Sequence, residues 1–197
     1  MAITTGILIF DDAEELDFVG PWEVFTNAAR FNDGNRVVTV AEESRPVVCA
    51  KGLRVLPDHT FANAPALDVV LVPGGIGTRK EVNNPALIGW LRAVGAGCTW
   101  VTSVCTGALL LHEAGFAKGR RVTTHWSFIE TLRSRSDITV LEGPRYVRDG
   151  NVVTSAGVSA GIDMSLWLVG QMHGVDCARM VQHQIEYDPA PPYAADV

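Results

Sequence analysis

Short apolar runs alternating with stretches of helical spacing constrain this chain more than any other feature. The runs lie at Thr5 to Phe10, Arg36 to Val40, Asp68 to Val72, Cys98 to Val104 and Val152 to Ser155. Apolar on consecutive positions rather than every second one, they read as strands buried on both faces, which requires a parallel sheet covered by helices. The covering helices are expected at Pro21 to Phe31, Pro85 to Val94, Thr106 to Ala114, Trp126 to Arg133, Ala160 to Met172 and Val175 to Tyr187. The implied class is α/β with a mostly parallel sheet. Two helix starts carry their own signals, Pro21 after Gly20 and Pro85 after the capping residue Asn84. The Asp149-Gly150 pair between Tyr146-Val147 and Val152-Val153 predicts an antiparallel hairpin, and Lys51-Gly52 inside Val47 to Val55 predicts a second. No repeat or linker divides the 197 residues, so one domain over 1–197 is expected, with 189–197 as an extended, proline-rich tail.

Composition excludes several functions. With 16 Lys+Arg against 22 Asp+Glu the formal charge is −6, and no basic face exists for a phosphate backbone, so no nucleic-acid binding is expected. No apolar run reaches membrane-spanning length and no secretory signal opens the chain, which points to a cytoplasmic protein with no membrane partner. Cys49, Cys98, Cys105 and Cys177 lack CxxC spacing, and no histidine–carboxylate spacing forms a ligand set, so no metal and no disulfide framework is expected.

The segment Trp100-Val101-Thr102-Ser103-Val104-Cys105-Thr106-Gly107-Ala108-Leu109 passes from a β-branched strand into a helix without a loop. So tight a turn needs small residues two places either side of its apex, and Ser103 and Gly107 supply them, which makes Cys105 the apex of a nucleophile elbow. Facing the first turn of the next helix, its sulfur is expected as a thiolate that iodoacetamide labels first, even at pH 6. Gly74 and Gly75, after the strand ending at Val72, allow close backbone approach, and the Gly75 and Thr106 N–H groups form a candidate two-donor hole. Five acids crowd Asp11 to Asp17. Of these, Asp17 sits between Leu16 and Phe18, so it is expected to turn inward, where desolvation and a neighbouring thiolate keep it protonated as a general acid. His125 follows Val122-Thr123-Thr124 and is read as either lining the site, with Trp126 beside it, or purely structural. Asp163 is expected on the buried face of its helix.

LDFVGP at 16–21, PGG at 73–75, TSVCTGALLL at 102–111, TTHW at 123–126 and AGID at 160–163 together resemble the ThiJ/PfpI superfamily, related in fold to class I glutamine amidotransferases. Within it the Asp17 variant of the acidic motif, SVCTG, TTHW and EYDPAPPY at 186–193 look most like isocyanide hydratases. The resemblance implies a flavodoxin-like three-layer sandwich, a homodimer, a small-molecule substrate and hydration to N-substituted formamides without a cofactor. It assigns the nucleophile to Cys105, the proton donor to Asp17 and support to Gly75 and Thr106. The superfamily's peptidases carry histidine where this chain has Thr106, so peptidase activity is not expected. Glyoxalase-like hydration of small dicarbonyls, or a non-catalytic cysteine-based sensor, are the alternatives. AraC-type regulators with similar sensor domains continue into a helix-turn-helix region that this sequence does not contain.

Overall fold

A computed structural model describes residues 2–189. Apart from Pro189, the expected tail at 189–197 lies outside the described residues. In chain order the elements are β1 (Thr4–Leu8), α1 (Glu15–Arg30), β2 (Arg36–Ala41), β3 (Val47–Val48), β4 (Arg54–Val55), β5 (His59–Thr60), β6 (Val69–Val72), α2 (Thr78–Glu81), α3 (Pro85–Gly95), β7 (Trp100–Val104) and α4 (Gly107–Glu113). They continue with β8 (Arg121–Val122), a 3-10 turn (Trp126–Phe128), α5 (Ile129–Arg133), β9 (Thr139–Val140), β10 (Tyr146–Asp149), β11 (Val152–Ser155), α6 (Ala160–His173) and α7 (Val175–Gln184).

The central sheet runs β10-β11-β7-β6-β1-β2-β5, parallel except for β10, which pairs antiparallel with β11 through the Asp149–Gly150 turn. Ile7 pairs with Thr39 on one side and Leu71 on the other, and Leu71 in turn with Thr102. β1, β6, β7 and β11 are buried almost throughout because helices cover both faces. Helices α1, α6 and α7 pack together on one face and α3 and α4 on the other, giving three layers. After β1 the chain goes to β2 on one side and later crosses to β6 on the other. The crevice at this reversal of strand order is the place where doubly wound sheets bind ligands.

The Asn84 cap forms as its residue type requires, its side chain accepting from the Ala86 and Leu87 N–H groups, and β3–β4 is the second expected hairpin. Three expectations fail for tertiary reasons. Helix α1 starts at Glu15, not Pro21, and Pro21 lies buried inside it. A Cβ added to Gly161 would come within 3.2 Å of the Pro21 ring, so the proline is part of the α1–α6 contact, and that packing offsets the hydrogen bond its missing N–H removes. The expected helix over Trp126 to Arg133 is a 3-10 turn followed by α5, because His125 caps the Ser127 N–H at a tighter pitch. Asp163 is half-buried rather than on a buried face: it accepts from Arg145 Nε at 2.7 Å and from the Tyr187 hydroxyl at 3.0 Å. No described helix is long and apolar enough to cross a membrane.

Candidate active site

The carboxyl ends of β1, β6, β7 and β11 converge here, each leading into one part of the site. Cys105 follows β7 directly with φ 55°, a left-handed conformation that costs a non-glycine residue about 1–2 kcal/mol. The surroundings hold it there: its N–H donates to the carbonyls of Ser155 (3.1 Å) and Ala156 (2.6 Å), and its own carbonyl accepts from the Thr124 hydroxyl at 2.7 Å. Gly107 is small for a specific reason, since a Cβ there would sit 2.3 Å from the Val72 carbonyl oxygen. The elbow is therefore pressed against the end of β6.

Asp17, in the first turn of α1, is fully buried. Its Oδ2 accepts from the Gly74 N–H at 2.9 Å and its Oδ1 from the Val158 N–H at 3.1 Å, and the same Gly74 abuts the elbow, where an added Cβ would lie 2.8 Å from the Cys105 Cβ. Val158 adopts φ 50°, a conformation that β-branched residues avoid, so the loop after β11 is held in strain with its N–H on Asp17. Burial pushes the Asp17 carboxyl up to about 7, against the opposing pull of the Gly74 N–H. Burial and then the Asp17 charge push the Cys105 thiol up to about 12, against hydrogen bonds from Thr106.

The second of these shifts corrects the expectation of a thiolate held down by the helix end. Helix α4 has only seven residues, whereas the cysteine is buried and faces a carboxylate. The two groups are coupled: Asp17 gives up its proton through about 7, while the thiol keeps its own up to about 12. Preferential labelling of Cys105 at pH 6 is accordingly not expected from this geometry.

A crevice of about 190 Å³ opens over the sulfur. Of the residues singled out from sequence, Cys105, Thr106, Gly75 and His125 line it. Gly74 instead spends its N–H on Asp17, and Trp126 points away, 78% exposed, beside the His125 ring. The two-donor hole is closed on one side, because the Gly75 N–H donates to Thr106 Oγ1 at 3.0 Å. Gly75 is held by its φ of 114°, and a Cβ there would lie 2.4 Å from the Asp12 carbonyl oxygen. His125 makes no hydrogen bond to Cys105 among the described residues. Its Nδ1 lies 2.8 Å from the Ser127 hydroxyl, and its ring packs over Gly157.

Glu14, Ile76, Arg79, Ser127 and Val158 complete the lining, and sequence reasoning missed them all. Val158 had a signal, since it follows a predicted strand at the sheet's carboxyl end. Arg79 had none. A second cavity, of about 170 Å³, is lined by Asp11, Glu42, Arg45 and Glu81 among others and contains no cysteine or histidine, whereas Cys105 lines the first. No group of three or more His, Cys, Asp or Glu side chains is placed to hold a metal ion among the described residues.

The chain is similar to known proteins in sequence and fold. Residues 5–171 match the model of the DJ-1/PfpI family. The chain is 40% identical to the isonitrile hydratase of Pseudomonas putida over 193 residues, covering 98% of this chain and 82% of that protein. It is 31% identical to the HTH-type transcriptional regulator CdhR of Pseudomonas aeruginosa, where the match spans 86% of this chain but 50% of the regulator. A crystal structure of a ThiJ/PfpI family protein from Pseudomonas syringae superposes with TM-score 0.91 at 34% identity, over all of this chain and 80% of that one. With a three-layer fold shared at that level and a family model matched from β1 into α6, the chain belongs to the DJ-1/PfpI family.

Proposed function

We propose that the protein hydrates isocyanides to N-substituted formamides. The observation that carries the reading is the buried Asp17 carboxyl beside Cys105 beneath an open crevice, in a chain similar to an isonitrile hydratase along nearly its whole length. An isocyanide's terminal carbon needs both a nucleophile and a proton, and the singly protonated pair holds both.

The Cys105 sulfur attacks that carbon, and the pair's remaining proton passes to the same carbon, leaving a thioimidate, R–N=CH–S–Cys105. Water adds across the C=N bond. The tetrahedral adduct then expels the sulfur, which recovers its proton, and R–NH–CHO leaves. The sum is R–NC plus water to R–NH–CHO, with no change of oxidation state in the protein and no cofactor in the scheme. Thr106, which follows the sulfur at the start of α4, favours the negative charge there before attack and after release.

The test is turnover of a simple aryl isocyanide, followed by its ultraviolet absorbance and by the mass of the formamide. Isocyanide loss with one formamide formed per molecule consumed is the expected result. No formamide from aryl or alkyl isocyanides overturns the reading.

A homodimer is part of the same proposal. Leu16, Val19 and Trp22 on α1, with Leu53 and Leu56 in and beside the β3–β4 hairpin, are large apolar side chains exposed on one chain, which a two-fold interface would cover. Sedimentation at micromolar concentration should give twice the 21.2 kDa chain mass, and a monomer at that concentration overturns it.

A further inference from the structure

We propose that Arg79 makes the crevice selective for substrates carrying a carboxylate a few bonds from the reacting carbon. The proposal rests on the Cys105 chemistry above and names the substrate class of that site. Arg79 lines the same crevice as the sulfur, and its guanidinium is fixed from two directions. Nη1 donates to the Gly75 carbonyl at 2.9 Å, to Thr78 Oγ1 at 3.0 Å and to Thr106 Oγ1 at 3.2 Å. The plane of the group lies over the Phe128 ring, 4.6 Å from its centroid. These contacts consume one nitrogen only. Nε and Nη2, the edge that grips a carboxylate through two parallel hydrogen bonds, have no protein partner among the described residues.

The charge balance of the crevice points the same way. Glu14, the half-buried acid on its wall, is already paired with Lys51. No described carboxylate lies within ion-pairing distance of Arg79. The cation is thus pre-oriented and uncompensated, one residue's reach from the elbow through Thr106. Because its Nη1 contacts and the Phe128 ring already restrict it, little side-chain entropy is lost when an anion docks. An isocyano carboxylate bound this way presents its terminal carbon to Cys105 and leaves as the N-formyl derivative of the corresponding amino acid, with the same atom balance as above. A role limited to tying the Gly75 loop to the elbow would affect charged and neutral substrates alike.

The experiment compares 3-isocyanopropanoate with the neutral 3-isocyanopropanamide, at low ionic strength so that the partly exposed charge is not screened. Wild type should favour the acid in kcat/KM by about tenfold or more, the usual weight of a charge-assisted hydrogen-bonded pair. Arg79→Met should lower that ratio by about the same factor, whatever it does to the neutral substrate. Arg79→Gln, neutral but able to keep the bond to the Gly75 carbonyl, takes its place should the methionine variant not fold. A wild-type ratio of one or below, or a ratio unchanged in these variants, overturns the proposal. Alkylation of Cys105 supplies a reading independent of turnover. The rate ratio of iodoacetate to iodoacetamide should fall about tenfold on loss of Arg79, and an unchanged ratio counts against its role. If neither isocyanide is consumed by wild type, the hydratase reading fails by itself and the alkylation ratio alone decides whether Arg79 binds anions.

Discussion

Replacing Cys105 by alanine is expected to reduce isocyanide turnover by about 10⁴-fold or more while leaving the protein folded, because the variant removes the sulfur to which the proposed mechanism bonds the substrate. Other nucleophiles near the crevice are committed elsewhere. The Thr106 hydroxyl is bonded to Gly75, Thr78 and Arg79, and that of Ser127 to His125. Alanine retains the Cβ, so the backbone at φ 55° pays the same strain as before, and the bonds from the Cys105 N–H to Ser155 and Ala156 involve no side chain. The melting temperature should accordingly move by only a few degrees. Turnover within tenfold of wild type in a folded Cys105→Ala protein would remove the cysteine from the mechanism.

Asp17→Asn is expected to lower kcat by about 10² or more, and this loss comes with a structural cost. Both carboxylate oxygens accept backbone N–H groups, from Gly74 and Val158. Asparagine has one acceptor oxygen, so its amide N–H₂ must face a second donor, which costs about 1–3 kcal/mol. Because activity and stability fall together, the decisive measurement is the pH profile. In wild type kcat/KM should rise through about 7, where the pair passes from two protons to one, and then stay level, since the thiol proton is not lost until about 12. In Asp17→Asn the step near 7 should vanish and activity should climb only as the thiol itself ionises. A step near 7 that persists in the variant assigns it to another group and returns Asp17 to a structural part.

The same ionisation sets a stability trend of definite sign. The folded-state value of Asp17 is raised from 3.8 to about 7, so between these values the native protein holds a proton that the unfolded chain has released. Stability from this group is complete below 3.8 and is lost as pH rises through about 7, a change of about 4 kcal/mol at most. The difference in melting temperature between wild type and Asp17→Asn should therefore narrow from pH 5 to pH 8.

What the amino-acid sequence determined by itself is whatever depends on neighbours a few positions apart. Consecutive apolar residues imposed the buried parallel strands, Asn84-Pro85 and Asp149-Gly150 imposed a helix start and a hairpin, and small residues around Cys105 imposed the elbow. Asp17 was legible as the inward acid because its two neighbours are apolar. Tertiary structure decided the rest. Pro21 belongs inside α1 because its ring is part of the contact with α6, and no local rule contains that contact. The thiol is pushed up rather than down because desolvation acts from all sides, whereas the dipole of a seven-residue helix acts from one. Asp17 is held by N–H groups 57 and 141 positions away in the chain, and Val158 presents one of them only through a strained backbone. Trp126, grouped with the site by its neighbour His125, turns to solvent because the chain enters a 3-10 turn there. Arg79 carries no periodic or motif signal, since its place beside the sulfur arises from the packing of α2 against α4 and of its own charge on Phe128.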